Sequence, residues 1–238
     1  MRRKIREFQD RLLKVLSKRI DDFYLGGGTA LSLYYFNHRE SLDLDFFTQS
    51  FNKPRVFEIT GFLSGVLKKK MELTAEETRK NRVKILVYSL SIDRISSLKI
   101  DFIQDYLNCI KKPKLINGIK VLSLEDIYLR KIYAITGTIS KKDFIGRKTM
   151  IGGRQEAKDY YDLYCLSHIF MGLSEFSFRY CNQTIREGLV RWYRTYSRLD
   201  IKTGLLELKL SKDIEYQDIE RHFKREIDKI LDKEVEFI

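Results

Sequence analysis

Two aspartates one residue apart, on a stretch with the alternation of a strand, constrain this chain more than any other feature. They close the segment Gly26-Gly-Gly-Thr-Ala-Leu-Ser-Leu-Tyr-Tyr-Phe-Asn-His-Arg-Glu-Ser-Leu-Asp43-Leu-Asp45-Phe-Phe. A strand turns successive side chains to opposite faces, so Asp43 and Asp45 share one face while Leu44 and Phe46 share the other. Neighbouring carboxylates repel, and burial aggravates the repulsion. A divalent cation resolves the conflict. Mg²⁺ takes hard oxygen ligands, commonly one or two carboxylates plus substrate phosphates, and Mn²⁺ suits similar ligands. Upstream, the glycine turn offers backbone N–H groups, and a helix over Thr29 to Phe36 would present its N-terminus to phosphate. The segment reads as a phosphate cradle followed by a metal site.

A third carboxylate belongs on a neighbouring strand. Ser97-Leu-Lys-Ile-Asp101-Phe-Ile-Gln-Asp105 supplies one, because Ile100 and Phe102 face one side and Asp101 the other. Asp93 and Asp105 are weaker alternatives, and a strand aspartate standing alone would be read as a solvent-facing residue. Three carboxylates around divalent ions fit an in-line displacement at phosphorus, with one aspartate able to take a proton from the attacking hydroxyl. The three histidines, His38, His168 and His222, lack zinc-site spacing, and neither a nucleophile elbow nor a P-loop is present.

Periodicity divides the chain. Residues 3–20 have helical spacing with a basic outer face; strands are expected at 23–25, 42–48, 72–78, 83–90, 97–104 and 118–122, and a helix at 56–69 behind Pro54. At Ser123 the pattern changes. Ser123-x-x-Asp126 resembles a capping box, a helix runs to about Thr136, residues 137–153 read as a glycine-rich basic loop, and the remainder reads as helix. The expected class is α+β, with a nucleotide-handling α/β domain over 1–122 and a helical domain over 123–238.

Charge speaks to the partner. The 238 residues carry 45 Lys and Arg against 33 Asp and Glu, a formal charge of +12. Such an excess favours polyanions, nucleic acid first, over mere surface solubility. It clusters at 2–6, 68–70, 79–84, 111–114, 141–148 and 186–198, the last interleaving Trp192, Tyr193 and Tyr196 with arginines. Those aromatics suit either stacking on unpaired bases or the buried side of an amphipathic helix. No run approaches the ~20 apolar residues that span a bilayer. Cys109, Cys165 and Cys181 lack metal spacing and read as reduced small hydrophobes, so a cytoplasmic protein is expected.

The strings Gly27-Gly-Thr-Ala-Leu and His38-Arg39-x-Ser41-x-Asp43-Leu-Asp45-Phe-Phe resemble the AbiEii/AbiGii toxin family of nucleotidyltransferases, of the DNA polymerase β-like superfamily. The superfamily signature is Gly-Ser or a variant, a spacer, then Asp-x-Asp; either Gly28-Thr29 or Gly27-Gly28 stands in the first place. The resemblance extends over roughly residues 22–168. It implies a polymerase β-like mixed sheet with flanking helices, and an NTP-using enzyme with Asp43, Asp45 and Asp101 as metal-binding catalytic carboxylates. Gly27, Gly28, Thr29, Arg39 and Ser41 would line the nucleotide site. In Lys131-Ile-Tyr-Ala134 the resemblance makes Lys131 a triphosphate contact, and in Ala157-Lys158-Asp159-Tyr-Tyr-Asp162-Leu it makes Asp159 part of the active-site wall, with Asp162 orienting Lys131 or a basic neighbour. Read as residues alone, Lys131 is an exposed helix lysine, and Lys158 pairs with Asp162 at i,i+4 on a surface helix. The implied role is the toxin of a bacterial toxin–antitoxin or phage-defence pair, with an RNA acceptor, by analogy the 3′ end of tRNA, and a cognate antitoxin. Two other readings stand beside it: transfer to a small molecule such as an aminoglycoside, which the basic charge disfavours, and a non-catalytic RNA-binding protein.

Overall fold

The structure is a computed structural model that describes residues 2–80, 82–137, 139–142, 145–146, 148–151 and 153–236; the side chains of 2–4, 139–142 and 148–151 lie outside that description. The chain divides into two compact units. One holds residues 1–35 and 41–126, the other residues 36–40 and 127–238.

The first unit is built on a mixed seven-stranded sheet in the order β3-β4-β5-β2-β1-β7-β6. The strands are β1 (Tyr24–Gly26), β2 (Leu44–Thr48), β3 (Met71–Glu77), β4 (Ile85–Ser91), β5 (Ser97–Gln104), β6 (Lys114–Ile116) and β7 (Ile119–Val121). β2 runs parallel to β5 and antiparallel to β1. Alternation decides what each face carries. Leu44, Phe46, Leu98, Ile100 and Phe102 are buried, and Phe102 meets Phe23 edge-on at 5.4 Å and stacks on Phe46 at 5.8 Å. Burying such rings is the main favourable term in holding the sheet. Helix α1 (Arg2–Leu16) buries Leu12, Leu13 and Leu16, and packs on α3 (Lys53–Leu67) and β5. Asn52 caps α3 by accepting from the Arg55 N–H, with Pro54 in the first turn where its missing donor costs nothing.

The helix expected from Thr29 starts earlier. It is α2 (Gly27–Leu31), and a π-helical turn, Ser32–Phe36, follows it. The strand β6, unmarked in the sequence reading, pairs with β7 around Asn117 and Gly118, both at positive φ.

Among the described residues the second unit is mainly helical, with one hairpin and an isolated bridge between Arg39 and Leu210. The basic stretch read as a loop contains β8 (Ile139–Lys142) and β9 (Lys148–Ile151), which pair antiparallel. The glycines hid a short two-stranded element whose residues give no strand alternation. Helix α4 (Leu124–Thr136) carries the expected cap: the Asp126 N–H donates to the Ser123 hydroxyl at 3.1 Å. Its carboxylate also accepts from the Ile110 and Lys111 N–H groups. Then come α5 (Ala157–Cys165) with a π-helical turn (Leu166–Phe170), α6 (Leu173–Tyr180), α7 (Gln183–Thr195), α8 (Arg198–Glu207) and α9 (Tyr216–Glu236). Tyr160, Trp192, Tyr196 and Phe223 form an aromatic core. Trp192 is 1% exposed and Tyr196 3%, so these two belong to the helix interior and are closed to stacking on bases. Gly204 lets α8 approach α5, because a Cβ there would come within 2.7 Å of Ala157.

Candidate active site

The Asp-x-Asp strand and the Asp101 strand are neighbours. β2 and β5 pair in parallel with Leu44 opposite Ile100, Asp45 opposite Asp101 and Phe46 opposite Phe102. Register partners in adjacent strands stand roughly 5 Å apart and point to the same face. Asp45 and Asp101 therefore share the face opposite the apolar layer. Asp43 precedes β2 by one residue, and the same offset carried back sets it opposite Lys99. That lysine is the residue sequence reading passed over. Its ammonium lies 2.6 Å from Asp101 Oδ2. Partial burial works against its charge, but Asp101, then Asp43 and Asp45, outweigh it and raise the Lys99 pKa. Lys99 thus pairs with Asp101 and feels the charges of Asp43 and Asp45. Among the described residues, no three carboxylate, imidazole or thiol groups are gathered closely enough to hold a metal ion as they stand. Carboxylate oxygens are the donors that a hard divalent cation takes, and Asp101 already holds a positive charge, the Lys99 ammonium, against it. Asp105 and Asp93 do other work. Asp105 accepts from the Tyr24 hydroxyl at 2.6 Å, and Asp93 accepts from the Ile95 N–H in a turn.

The glycine turn holds these carboxylates. Gly27 has φ +66°, and a Cβ there would overlap the Asp45 carboxylate, so only glycine lets that carboxylate lie against the turn. Gly28 and Thr29 are buried. The Thr29 hydroxyl donates to the Asp43 carbonyl and lies 2.8 Å from the Ser41 hydroxyl. Thr29 and Ser41 thus fix the backbone that presents Asp43.

Arg39, Lys131 and Asp159 fall in the second unit, with Asp162 at their centre. Arg39 grips the Asp162 carboxylate with two N–H groups, Nε to Oδ1 at 2.6 Å and Nη2 to Oδ2 at 2.8 Å. His38 Nε2 lies 2.8 Å from Oδ1, and Lys131 Nζ 2.6 Å from Oδ2. Lys131 also reaches Asp159 at 2.5 Å, and Arg154 reaches the other Asp159 oxygen at 2.7 Å. All but Arg154 are buried: Asp162 is 0% exposed, Asp159 1%, Arg39 5% and Lys131 7%. Burial alone would raise the Asp162 pKa; Lys131, Arg39 and the hydrogen bonds from His38 and Arg39 overcome it and hold the carboxyl well below the ordinary range. Burial would likewise lower the Lys131 pKa, and Asp162 with Asp159 raises it instead. Lys131 is therefore a charged, buried lysine and not a solvated helix residue. The i,i+4 pair between Lys158 and Asp162 does not form, because Asp162 turns into the interior and Lys158 pairs with Glu156 at 2.9 Å. The segment carrying His38 and Arg39 is tied down further: Glu40 N–H donates to the Lys209 carbonyl and Ser211 N–H to the His38 carbonyl, both at 2.9 Å.

Parts of the basic excess are paired internally. Arg186 meets Glu234 and lies over the Phe178 ring, and Arg198 meets Glu220 and lies over Tyr196. Of the basic stretch expected to meet RNA, Arg147 and the side chains of Lys141, Lys142 and Lys148 lie outside the described residues. No helix among the described residues is long and apolar enough to cross a membrane.

Comparison with known proteins agrees with this architecture. A family model described as nucleotidyl transferase AbiEii toxin, type IV toxin–antitoxin system, matches residues 11–238, well beyond the 22–168 on which the sequence resemblance rests. An uncharacterised Aquifex aeolicus protein, aq_aa25, is 32% identical over 147 residues, which are 60% of this chain and 65% of that protein; the match thus spans somewhat less than two thirds of that relative. Two solved structures from Helicobacter pylori share the fold. JHP933 aligns with a TM-score of 0.55 at 17% identity over 98% of this chain and 94% of its own. A candidate nucleotidyltransferase aligns with a TM-score of 0.56 at 18% identity over 96% and 95%. At these identities the likeness carries the fold alone.

Proposed function

The chain belongs to the AbiEii family of nucleotidyl transferase toxins of type IV toxin–antitoxin systems, and from that premise we propose that it transfers a nucleotide from an NTP to an RNA acceptor. The observation that supports the reading is the register of Asp45 with Asp101, together with the Lys99 ammonium, which pairs with Asp101 and whose pKa Asp43 and Asp45 help to raise. Asp43, Asp45 and Asp101 are the residues that would hold Mg²⁺ or Mn²⁺. When bound, the ion supplies neutralisation of charge on the phosphates and on the departing oxygen.

The chain's own residues supply the rest. An acceptor hydroxyl attacks the α-phosphorus, the new oxygen–phosphorus bond forms, and pyrophosphate leaves with the bonding pair. A carboxylate of the set takes the hydroxyl proton. Gly27 and Gly28 keep side chains out of the turn, and Thr29 with Ser41 holds Asp43 in place. For Lys131 and Arg39 the family implies contact with the triphosphate, and within the second unit both are buried against aspartates that keep them charged. Asp159 and Asp162 are then positioning residues that keep both cations charged and aimed. Preorganised charge of this kind is the usual source of rate in phosphoryl transfer.

The net charge of +12 supports RNA over a cationic small molecule as acceptor. A cognate antitoxin is the partner that family membership suggests. The test is incubation of purified protein with Mg²⁺, each labelled NTP in turn, and total RNA, tRNA or an aminoglycoside, with products resolved on a gel. Label in RNA that disappears in the Asp43→Asn and Asp101→Asn variants is the expected result. Label on the aminoglycoside, or full RNA labelling by both variants, would overturn the reading.

A further inference from the structure

The Lys99 ammonium is a cation that nothing in the proposed chemistry uses. It sits on β5 two residues before Asp101, on the same sheet face, 2.6 Å from Asp101 Oδ2 and opposite the register position of Asp43. Its side chain is 48% exposed, whereas that of Asp101 is 8% exposed. The carboxylate is thus fixed in the sheet while the ammonium reaches it on a flexible stem from the solvent side. Lysine suits such a place, being a compact point charge on a mobile chain without the fixed fork of arginine.

We propose that Lys99 is an internal counter-ion that occupies the cation position on Asp101 and is displaced when the divalent ion binds, so that the site resists free metal and opens to it most readily when a nucleotide triphosphate arrives. Three arguments carry this. The carboxylate block without a cation would be self-repelling, and Lys99 relieves that repulsion in the protein alone. An ion pair with one half-exposed partner is held weakly, so a divalent charge can replace it. And an ammonium released beside the metal site meets an anion only once phosphates are present, which couples metal entry to nucleotide entry without a moving domain. Lys99 acts through the carboxylates and is a positioning residue.

The inference rests on the metal-site reading above, and the test separates the two. Mn²⁺ binding is measured without nucleotide, by electron paramagnetic resonance or calorimetry, in wild type, Lys99→Met, Lys99→Gln and Lys99→Arg. A unit positive charge some 5 Å from a divalent ion, in a largely aqueous dielectric, costs roughly a tenfold factor in affinity. Both neutral variants should bind Mn²⁺ about tenfold more tightly than wild type, and Lys99→Arg should stay near wild type. With NTP present the neutral variants should lose most of that advantage, because the ammonium then has a phosphate partner. Wild-type affinity for Mn²⁺ in both neutral variants, or weaker binding, would sink the Lys99 proposal while leaving the metal site standing. No Mn²⁺ binding by any of the four proteins, each with the circular dichroism of a folded chain, would overturn the metal site and this proposal together.

Discussion

Removing the charge of Asp162 should destabilise the helical unit about as much as emptying one of the largest side chains from its core. The carboxylate is fully buried and is held by both nitrogens of the Arg39 fork, by Lys131 and by His38. In Asp162→Asn two buried cations, Arg39 and Lys131, are left with Asp159 as their anion. Breaking a buried ion pair from one side costs about 3–5 kcal/mol, because the remaining charge stays desolvated. At an ordinary urea dependence of about 1–3 kcal/mol per molar, that lowers the unfolding midpoint by roughly 1–5 M. Trp192 makes the measurement local. It is the chain's one tryptophan, it is 1% exposed, and its ring lies 5.9 Å from Tyr160 on the helix that carries Asp162. Its fluorescence in a urea titration reports this unit. The sign with pH follows from the depressed pKa. A carboxyl whose folded pKa lies below its unfolded value, about 3.9, contributes stability that is complete above the unfolded value and is lost as pH falls through the folded one. The gap between wild type and Asp162→Asn should therefore be full at pH 7 and narrow below about pH 4. Arg39→Met combined with Asp162→Leu should cost less than the sum of the two single changes, since the pair goes together. A shift at pH 7 worth under about 1 kcal/mol, or one that widens in acid, would refute the argument that partner charge outweighs burial at this site.

Two further outcomes follow from the first unit and a third from the charge of the whole chain. Gly27→Ala combines a positive φ with overlap of the Asp45 carboxylate, so it should cost about 1–3 kcal/mol in urea unfolding and most of the nucleotidyl transfer; wild-type stability and turnover would remove the close approach from the account. Thr29→Val deletes the hydroxyl that holds Ser41 and the Asp43 carbonyl, and should cost about 1–3 kcal/mol through the unsatisfied groups left behind; labelled-NTP turnover should fall with it, and an unaltered rate would show that Asp43 needs no such anchor. RNA binding should weaken linearly in log affinity against log salt, with a slope of about −0.7 to −0.9 per phosphate contacted; a flat response in filter binding would refute the polyelectrolyte reading of the +12 charge.

The sheet was legible because its signal is local. Leu44, Phe46, Ile100 and Phe102 alternate with Asp45 and Asp101, and alternation alone turns the carboxylates away from the core. The capping of α4 by Ser123 was equally local. What escaped the sequence depends on pairing across long separations. Lys99 lies two residues from Asp101 and shares its face by strand alternation, but its place beside Asp43 and Asp45 came only when β5 met β2. Asp162 reads as a surface partner of Lys158 because both lie on one helix, and only the arrival of Arg39, 123 residues away, makes it an interior charge. The π-helical turns after α2 and α5 and the β8–β9 hairpin leave no mark in periodicity, since one extra residue per turn or four-residue strands fall below what a pattern of apolar positions resolves.

The five residues 36–40 have a consequence for how the chain is made. They are synthesised among the strands of the first unit, yet their partners, Asp162 and the 209–211 backbone, are translated more than a hundred residues later. At ribosomal speeds of about 5–20 residues per second, Arg39 waits several seconds without its carboxylate. For the same reason, a cut between Asp126 and Ile127 would not yield two self-sufficient fragments, because the helical piece would lack the guanidinium on which Asp162 closes. Expressed alone, residues 127–238 should recover their fold only when a peptide spanning 36–40 is supplied in trans.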